Sequence, residues 1–597
     1  MSITDVLRSD TREEPRRTRR PDVVSFGLLG AAVALWLASL SQVNLDDLSD
    51  IGLISALPPA FFLSVALLTV GFFREIGRRD PRPAFLWAHT VLVVVFLQGI
   101  AAAVEGAPRF PTSWIHAGFT DQIADHHSTL PMLDARFSWP GFFSVAALVE
   151  TVAGLESALW FVRWSPVVFG LVALAPAAVI LRVAEVEDRA RWTALWLFCV
   201  ANWVGQDYFA PQALNAFLYL VVVAVLLKWF RPYALRPVPL LGSRVGTLEA
   251  PVAASTPRAR VALVLVVTGL FAASVLSHQL TPFALAAAAA ALVVGRRSVL
   301  AWLPVLFVVG ALAWLSWGAE VYWIGHLSNV TGGIGRLTGS LQSGVAERLQ
   351  GNTGHLFVIR LRMIATGLLW VVAAAGALRS YRRTGAVPWP HVLLMAAPFS
   401  LVALQSYGGE ILLRVYLFAL PFVALLVALA FFPTPLWRDQ RPSRSTIFGA
   451  AALSVVVTLA FLVIRYGNER FESFTADEVA AVEWVYDNAP AGSRLVAVNP
   501  SLPWKHRDLE KYSYLSLIEK PHLDEGGEIL SYLIPKKGRA DGYLIITRSQ
   551  IAHGELVQGF KPGWDERVAE LLLSTGQARV VFQNDDAIVI HHPGTAT

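Results

Sequence analysis

The sequence predicts a polytopic α-helical membrane protein with a small α/β domain at its C-terminal end. Three observations predict it. Hydrophobic residues make up 55% of the 597 and charged residues only 16%, and the mean hydropathy is +0.52, a balance that a soluble core of this size does not need. Apolar windows of roughly 20 residues recur until about position 465, each long enough to cross a bilayer. Beyond 466 the composition turns polar, and short β-type runs follow a capped helix.

Residues 1–21 are polar and Arg-rich, with the character of a disordered cytoplasmic tail and not of a signal peptide. The membrane domain is expected over 22–465. Spans fall near 23–42, 51–73, 84–104, 166–184, 190–205, 213–230, 261–278, 282–295, 298–317, 356–378, 388–405, 411–432 and 445–465, about thirteen in all. Basic residues should gather in alternate loops if that count is right, and they do. Arg74, Arg78 and Arg79 follow the second span, Arg182, Arg189 and Arg191 separate the fourth and fifth, and Lys228, Arg231 and Arg236 follow the sixth. Arg296 and Arg297 follow the eighth, Arg379, Arg382 and Arg383 the tenth, and Arg438, Arg441 and Arg444 precede the last. The N-terminus is therefore expected inside the cell, and both the segment 105–141 and the C-terminal domain outside. The formal charge of +5 sits in these clusters, so it sets orientation and does not point to nucleic acid. Cys199 is the one cysteine. It lies in an apolar run, which excludes an intramolecular disulfide and reads as a small core residue.

The segment 105–141 is a polar island between apolar runs. It carries Asp121, Asp125, His126, His127, Asp134 and Arg136 among aromatics and prolines. After it, residues 142–155 have apolar positions at helical spacing with Glu150 and Thr151 interposed. The stretch is short for a crossing and is expected to lie on the membrane surface. Counting it as a span would also reverse every later loop. The next outward turn, Asn202 to Gln212, is tight and polar, and Gly205 and Pro211 mark it. An acid at that depth is costly unless paired or hydrated, which makes Asp207 a functional candidate. Ser277-His278-Gln279-Leu280-Thr281-Pro282 is the same kind of turn. The loop 318–355 is rich in Gly, Ser and Thr and has the length of a lid or binding loop. Arg360 and Arg362 follow it, and Glu410 and Arg414 flank the start of the twelfth span. Arginine near an outer membrane face suits a phosphate, because its planar fork bonds two oxygens at once.

In the C-terminal domain, 466–597, Thr475-Ala476-Asp477-Glu478 should cap a helix running to about Asn488. Strands are expected at 495–498, 543–547, 580–583 and 587–591, the last two joined by Asn584-Asp585-Asp586. His591 and His592 are expected at the solvent-exposed edge, and the domain is expected to dock or bind an acceptor.

Three stretches carry a resemblance: Trp114-Ile115-His116-Ala117-Gly118-Phe119, the run from Ala135 to Phe143, and Asn202 to Gln212. With an outer loop after an early span, a second outer turn with an acid, many further spans and an outer C-terminal domain, the chain resembles the GT-C superfamily of integral-membrane glycosyltransferases. That superfamily includes oligosaccharyltransferases, protein O-mannosyltransferases, aminoarabinose transferases and actinobacterial arabinofuranosyltransferases. The resemblance covers nearly the whole chain, with two extra spans in front. It implies a GT-C-like fold in a bacterial plasma membrane. It also implies transfer of a sugar from a polyprenyl-phosphate donor to a glycan, lipid or protein acceptor of the cell envelope, with inversion. Asp121 or Asp134, together with Asp207, would supply the base. Arg414, Arg360 or His278 would neutralise the departing phosphate, with Gln279 and Glu410 beside them. A divalent cation, Mg or Mn, would be held if at all by Asp121 and Asp207.

Each residue has a plainer account. Asp121 and Asp125 could line the wet face of an interfacial helix, Asp134 could only pair with Arg136, adjacent His126 and His127 point apart on a helix, and Glu410 with Arg414 has i,i+4 salt-bridge spacing. A transporter or flippase would show two matching halves, which the sequence lacks. A non-catalytic scaffold of envelope assembly gives no reason for acids at two outer turns.

Overall fold

The computed structural model describes residues 22–234, 236–239, 245–324, 349–403, 410–433, 442–517, 526–533 and 540–594. The expected tail 1–21, most of the loop 318–355, the turn from Ser406 to Gly409 and the stretch with Arg438 and Arg441 lie outside them.

Among the described residues, nine helices are long and apolar enough to cross a membrane: Val23–Leu40, Pro59–Ile76, Pro83–Val104, Ser165–Arg182, Pro211–Trp229, Pro257–Ser277, Thr353–Thr384, Ile411–Leu429 and Arg444–Tyr466. Shorter helices at Asp188–Val200, Thr281–Val294, Leu303–Trp317 and Trp389–Ala396 fill the other four expected windows. The chain is a multi-pass membrane protein. Proline opens many of these helices, as at Pro59, Pro83, Pro211 and Pro257, where a missing N–H costs nothing because the first-turn donors have no helical acceptor. The ends of some windows move. The second span starts at Pro59 and not near 51, because Leu53–Ser55 forms a 3-10 turn first. The tenth extends to 32 residues, roughly 48 Å at 1.5 Å per residue, so it projects beyond the hydrocarbon core. Trp389–Ala396 continues as a 3-10 segment, Ala397–Ala403.

Ile411–Leu429 is the centre of the bundle, with 83% of its apolar window buried, whereas Val23–Leu40 and Pro257–Ser277 are 22% buried and face lipid. The central helix meets Thr353–Thr384 at Gly376, where a Cβ would fall 1.8 Å from the Leu426 carbonyl oxygen. Gly376→Ala should therefore force two backbones apart and cost about 1–3 kcal/mol, read as a lower Tm of the detergent-purified protein. An unchanged Tm would refute this packing.

The arginine clusters meet at one end of the bundle. Arg74, Arg78 and Arg82 share Asp22 and Glu75, and Arg189 donates to the carbonyls of Ile76 and Arg78. Nearby, Glu249 is clamped between Arg231 at 3.1 Å and Arg297 at 2.5 Å, all three fully buried. Two-residue parallel strands, Gly246–Thr247 and Ala386–Val387, hold that segment in place.

The opposite end carries the C-terminal domain. Its sheet has five strands: β1 (Arg494–Ala497), β2 (Ser513–Ser516), β3 (Gly542–Thr547), β4 (Arg579–Gln583) and β5 (Ala587–His592), in the order β2-β1-β3-β5-β4. The first three are parallel, and β5 and β4 add antiparallel to β3. The expected capping box forms, Thr475 with Glu478, at the start of Ala476–Asn488. β2 and the helices Gly526–Leu533, Arg548–Leu556 and Trp564–Ser574 were not evident in the sequence. The expectation for His591 and His592 is overturned: both are buried, because β5 is an inner strand, and His591 faces Asp541 at 3.1 Å.

Candidate active site

The turn after Asp188–Val200 folds back sharply. Gly205 sits at φ +71°, a conformation that glycine adopts without a Cβ penalty, and Pro211 starts the next helix. This reversal holds Asp207, 7% exposed, against the last turn of the final membrane helix. There Arg465 Nη2 donates to Asp207 Oδ1 at 2.7 Å. The pair is only partly satisfied. Asp207 Oδ2 and the Nε and Nη1 of Arg465 are buried with no hydrogen-bond partner among the described residues. Such atoms are costly to leave unpaired, so their persistence calls for a role.

Asp207 lines a cavity together with Gln98, Asn202, Gln206 and Tyr219 on its polar side and Phe169 and Phe418 on its apolar side. Its water-sized free space is about 50 Å³, room for ordered water, so a sugar would need its helices to part. Gly170 makes space for Gln98, since a Cβ there would lie 1.9 Å from Gln98 Oε1. Gln98 and Arg465 belong to two neighbouring cavities. Gln98 also lines a second, smaller one with Glu105, Arg109, Arg163, Arg465 and Tyr466. Gln98 thus stands between the cavity that Asp207 lines and the one that Arg465 lines.

In the second cavity Arg109 is held by two acids of the short helix Glu469–Glu472. Its Nε and Nη2 reach Glu469 at 2.8 and 2.5 Å, and Nη2 reaches Glu472 at 3.0 Å. The guanidinium also stacks on Phe110 and Tyr466, at 4.1 and 4.8 Å from the ring centres. Glu105, buried beside Glu469, is raised well above the usual carboxylate range by burial first and by the Glu469 charge second. Burial pushes Glu472 up to about 7, with Arg109 pulling the other way.

The segment 105–141 and the turn 202–212 do meet, through His116 and not through their acids. His116 Nδ1 lies 2.9 Å from the Phe209 carbonyl oxygen, and Tyr208 packs between His116 and Phe110. The acids of the first segment have other partners. Asp121 accepts from Ser157 Oγ at 2.7 Å and from the Ala158 amide at 2.9 Å. Asp134 caps Ala135–Ser138 and is bonded twice by Arg136, at 2.9 and 2.7 Å. Burial raises that carboxyl but Arg136 outweighs it, leaving Asp134 below its ordinary value. Asp125, His126 and His127 are exposed. His278 Nδ1 accepts from the Leu280 and Thr281 amides, at 3.1 and 3.2 Å, and so caps Thr281–Val294. Gln279 is half-buried in that turn, and Arg360 is exposed. Glu410 and Arg414 form the i,i+4 pair at 2.8 Å, with Arg414 within electrostatic reach of His278.

For a divalent cation the donor set is not assembled among the described residues. Asp207 faces a guanidinium, Asp121 is held by an amide and a hydroxyl, and no group of three or more His, Cys, Asp or Glu could hold a metal. Arg465, Gln98, Glu105 and Arg109 went unremarked in the sequence. Arg465 could have been found as a charge closing an apolar window.

Asp121 has one more partner. The helix Gly141–Ala153 turns Val145, Leu148, Val149 and Val152 outward, all more than half exposed, and Phe142, Phe143, Ala146 and Glu150 inward. This is the two-faced pattern of a helix lying on a membrane. Glu150 bonds Asp121, and burial together with the Asp121 charge pushes its carboxyl up to about 8. Two acids bonded in this way resist losing both protons. A carboxyl raised by folding contributes stability that is complete below its unfolded pKa and is lost as pH climbs through its folded one. Protection of the 141–153 amides, corrected for the intrinsic base-catalysed exchange rate, should therefore fall as pH rises from about 4.5 to about 8, and Glu150→Gln should flatten the change. Equal pH dependence in both proteins would refute this assignment.

No protein-family model matches the chain, and no curated protein does either. Among solved structures, it is similar to ArnT from Cupriavidus metallidurans bound to undecaprenyl phosphate, at 13% identity and a TM-score of 0.46, over 85% of this chain and 97% of that one. It is also similar to arabinofuranosyltransferase AftD from Mycobacteria, at 14% identity and a TM-score of 0.41, over 86% of this chain and 41% of that one.

Proposed function

We propose that this membrane protein is a glycosyltransferase of the GT-C kind that moves a sugar from a polyprenyl-phosphate donor to a cell-envelope acceptor on the outer membrane face. The observation that carries the reading is the Asp207–Arg465 pair: opposite charges buried at the ends of membrane helices, each with unused hydrogen-bonding atoms, Asp207 lining one cavity and Arg465 its smaller neighbour. A sugar on a lipid phosphate is already activated. The bond from the anomeric carbon to the phosphate oxygen breaks, and its electron pair leaves with the phosphate. The acceptor oxygen bonds the same carbon from the opposite face, and its proton passes to a carboxylate, so a single displacement inverts the centre.

In this reading Asp207 Oδ2 takes that proton. Arg465 keeps Asp207 aligned through Nη2, and its Nε and Nη1 face the charge that grows on the phosphate, where preorganised donors contribute most. Glu410, Arg414 and His278 form a second polar group that would steady the donor. Orientation follows from the basic clusters, which collect at the end opposite the C-terminal domain; that end is assigned to the cytoplasm.

The test is direct. Purified protein is incubated with a panel of polyprenyl-phosphate sugars, with and without chelator, and released polyprenyl phosphate is followed by mass spectrometry. Release from at least one donor is expected; no release across pentose and hexose donors with added envelope acceptors would sink the reading.

A further inference from the structure

At the end of the bundle opposite the C-terminal domain, a groove of about 820 Å³ lies between Pro59–Ile76 and Arg444–Tyr466. One part of its wall is apolar: Val70 and Phe448, 54% and 75% exposed, with the buried Phe73 behind them. The other part is basic: Arg74, Arg78 and Arg444. Among the described residues, the ion pairs leave three guanidinium groups to two acids. Asp22 and Glu75 are shared among Arg74, Arg78 and Arg82, and Arg444 stands exposed at the rim as a further cation. An apolar slot on lipid-facing helices that ends in guanidinium groups fits a molecule with the same division, an acyl chain below a phosphate.

We propose that this groove binds an anionic phospholipid of the adjoining leaflet. The acyl chains lie along Val70, Phe73 and Phe448, and the phosphate is held by Arg444 with Arg74 and Arg78, whose places are fixed by Asp22. Charge complementarity selects the head group, since the planar guanidinium bonds two phosphate oxygens at once. The site is separate from the Asp207 cavity and does not depend on the activity proposed for it. The full chain in mild detergent is examined by native mass spectrometry with phosphatidylglycerol or phosphatidylcholine at equal concentration, and by thermal melting with inorganic phosphate. Phosphatidylglycerol should be retained preferentially, Arg444→Gln should weaken its retention about fivefold, and Ala451→Trp, which fills the groove wall, should weaken it without a change of charge. Inorganic phosphate should leave Tm unmoved. Equal retention of the two lipids, retention unaffected in both variants, or a phosphate-induced rise in Tm matching that of the lipid would each overturn the proposal.

Discussion

Asp207→Asn should reduce sugar transfer by about 10²–10⁴-fold, the range that a positioned proton acceptor supplies. Asparagine keeps the acceptor atom that Arg465 Nη2 bonds at 2.7 Å but has no basicity to take a hydroxyl proton. The variant also leaves Arg465 without its counter-charge in a buried site, so lost activity alone would not separate chemistry from folding. The double variant Asp207→Asn with Arg465→Gln does. It removes both charges together, which costs far less than removing one. If the pair is only a structural bridge, the double variant recovers both Tm and transfer. If the pair carries the chemistry, Tm recovers and transfer does not. Binding of the lipid donor, measured separately, should survive the single substitution within a few-fold.

The second large effect is expected at Arg109. Replacing it with Met strands Glu469, Glu472 and Glu105 around an apolar side chain, and breaking a buried pair from one side costs about 3–5 kcal/mol. The loss should fall on the contact between domains, because Glu469 and Glu472 belong to the link between the last membrane helix and the C-terminal domain. Limited proteolysis between 466 and 476 should report it as faster cutting. The pH dependence has a definite sign. Arg109 is the counterweight to burial at Glu472, whose carboxyl sits near 7 even with that arginine beside it. Without it Glu472 and Glu105 remain protonated to higher pH, so the damage is smaller in mild acid and grows as pH rises. A cleavage rate indifferent to the substitution, or a defect that deepens on acidification, would contradict this assignment. Adding Glu469→Gln to the Arg109 variant should return part of the lost stability.

Much of the membrane architecture is legible in single stretches of sequence, because a span declares itself locally. The windows, the short two-faced helix after 141 and the capping box at Thr475 all follow from patterns within a few turns of chain. Asp207 is legible for a related reason: a carboxylate beside apolar helices is conspicuous wherever it folds. Its partner is not. Arg465 lies 258 positions away, and a basic residue closing an apolar run reads as an ordinary span end. The same limit hid the link between Asp121 and Glu150, since the interposed glutamate looked like the polar side of a surface helix and instead faces inward. β2, four residues flanked by polar loop, forms only because β1 is there to receive it. The burial of His591 and His592 depends on β4 covering that edge, which the hairpin sequence does not announce.

The Arg109 clasp has a consequence for how the molecule is made. Arg109 and Glu469 are 360 residues apart, which at ribosomal speed is on the order of 20–70 s of synthesis. Throughout that interval the arginine lacks its final neighbours, and the segment that carries it waits without them. The membrane half therefore cannot settle in order from its first helix onward. That end of the molecule closes when the last helix and the terminal domain arrive, so a chain stopped short of 469 should be threaded but unfinished, and marked for degradation.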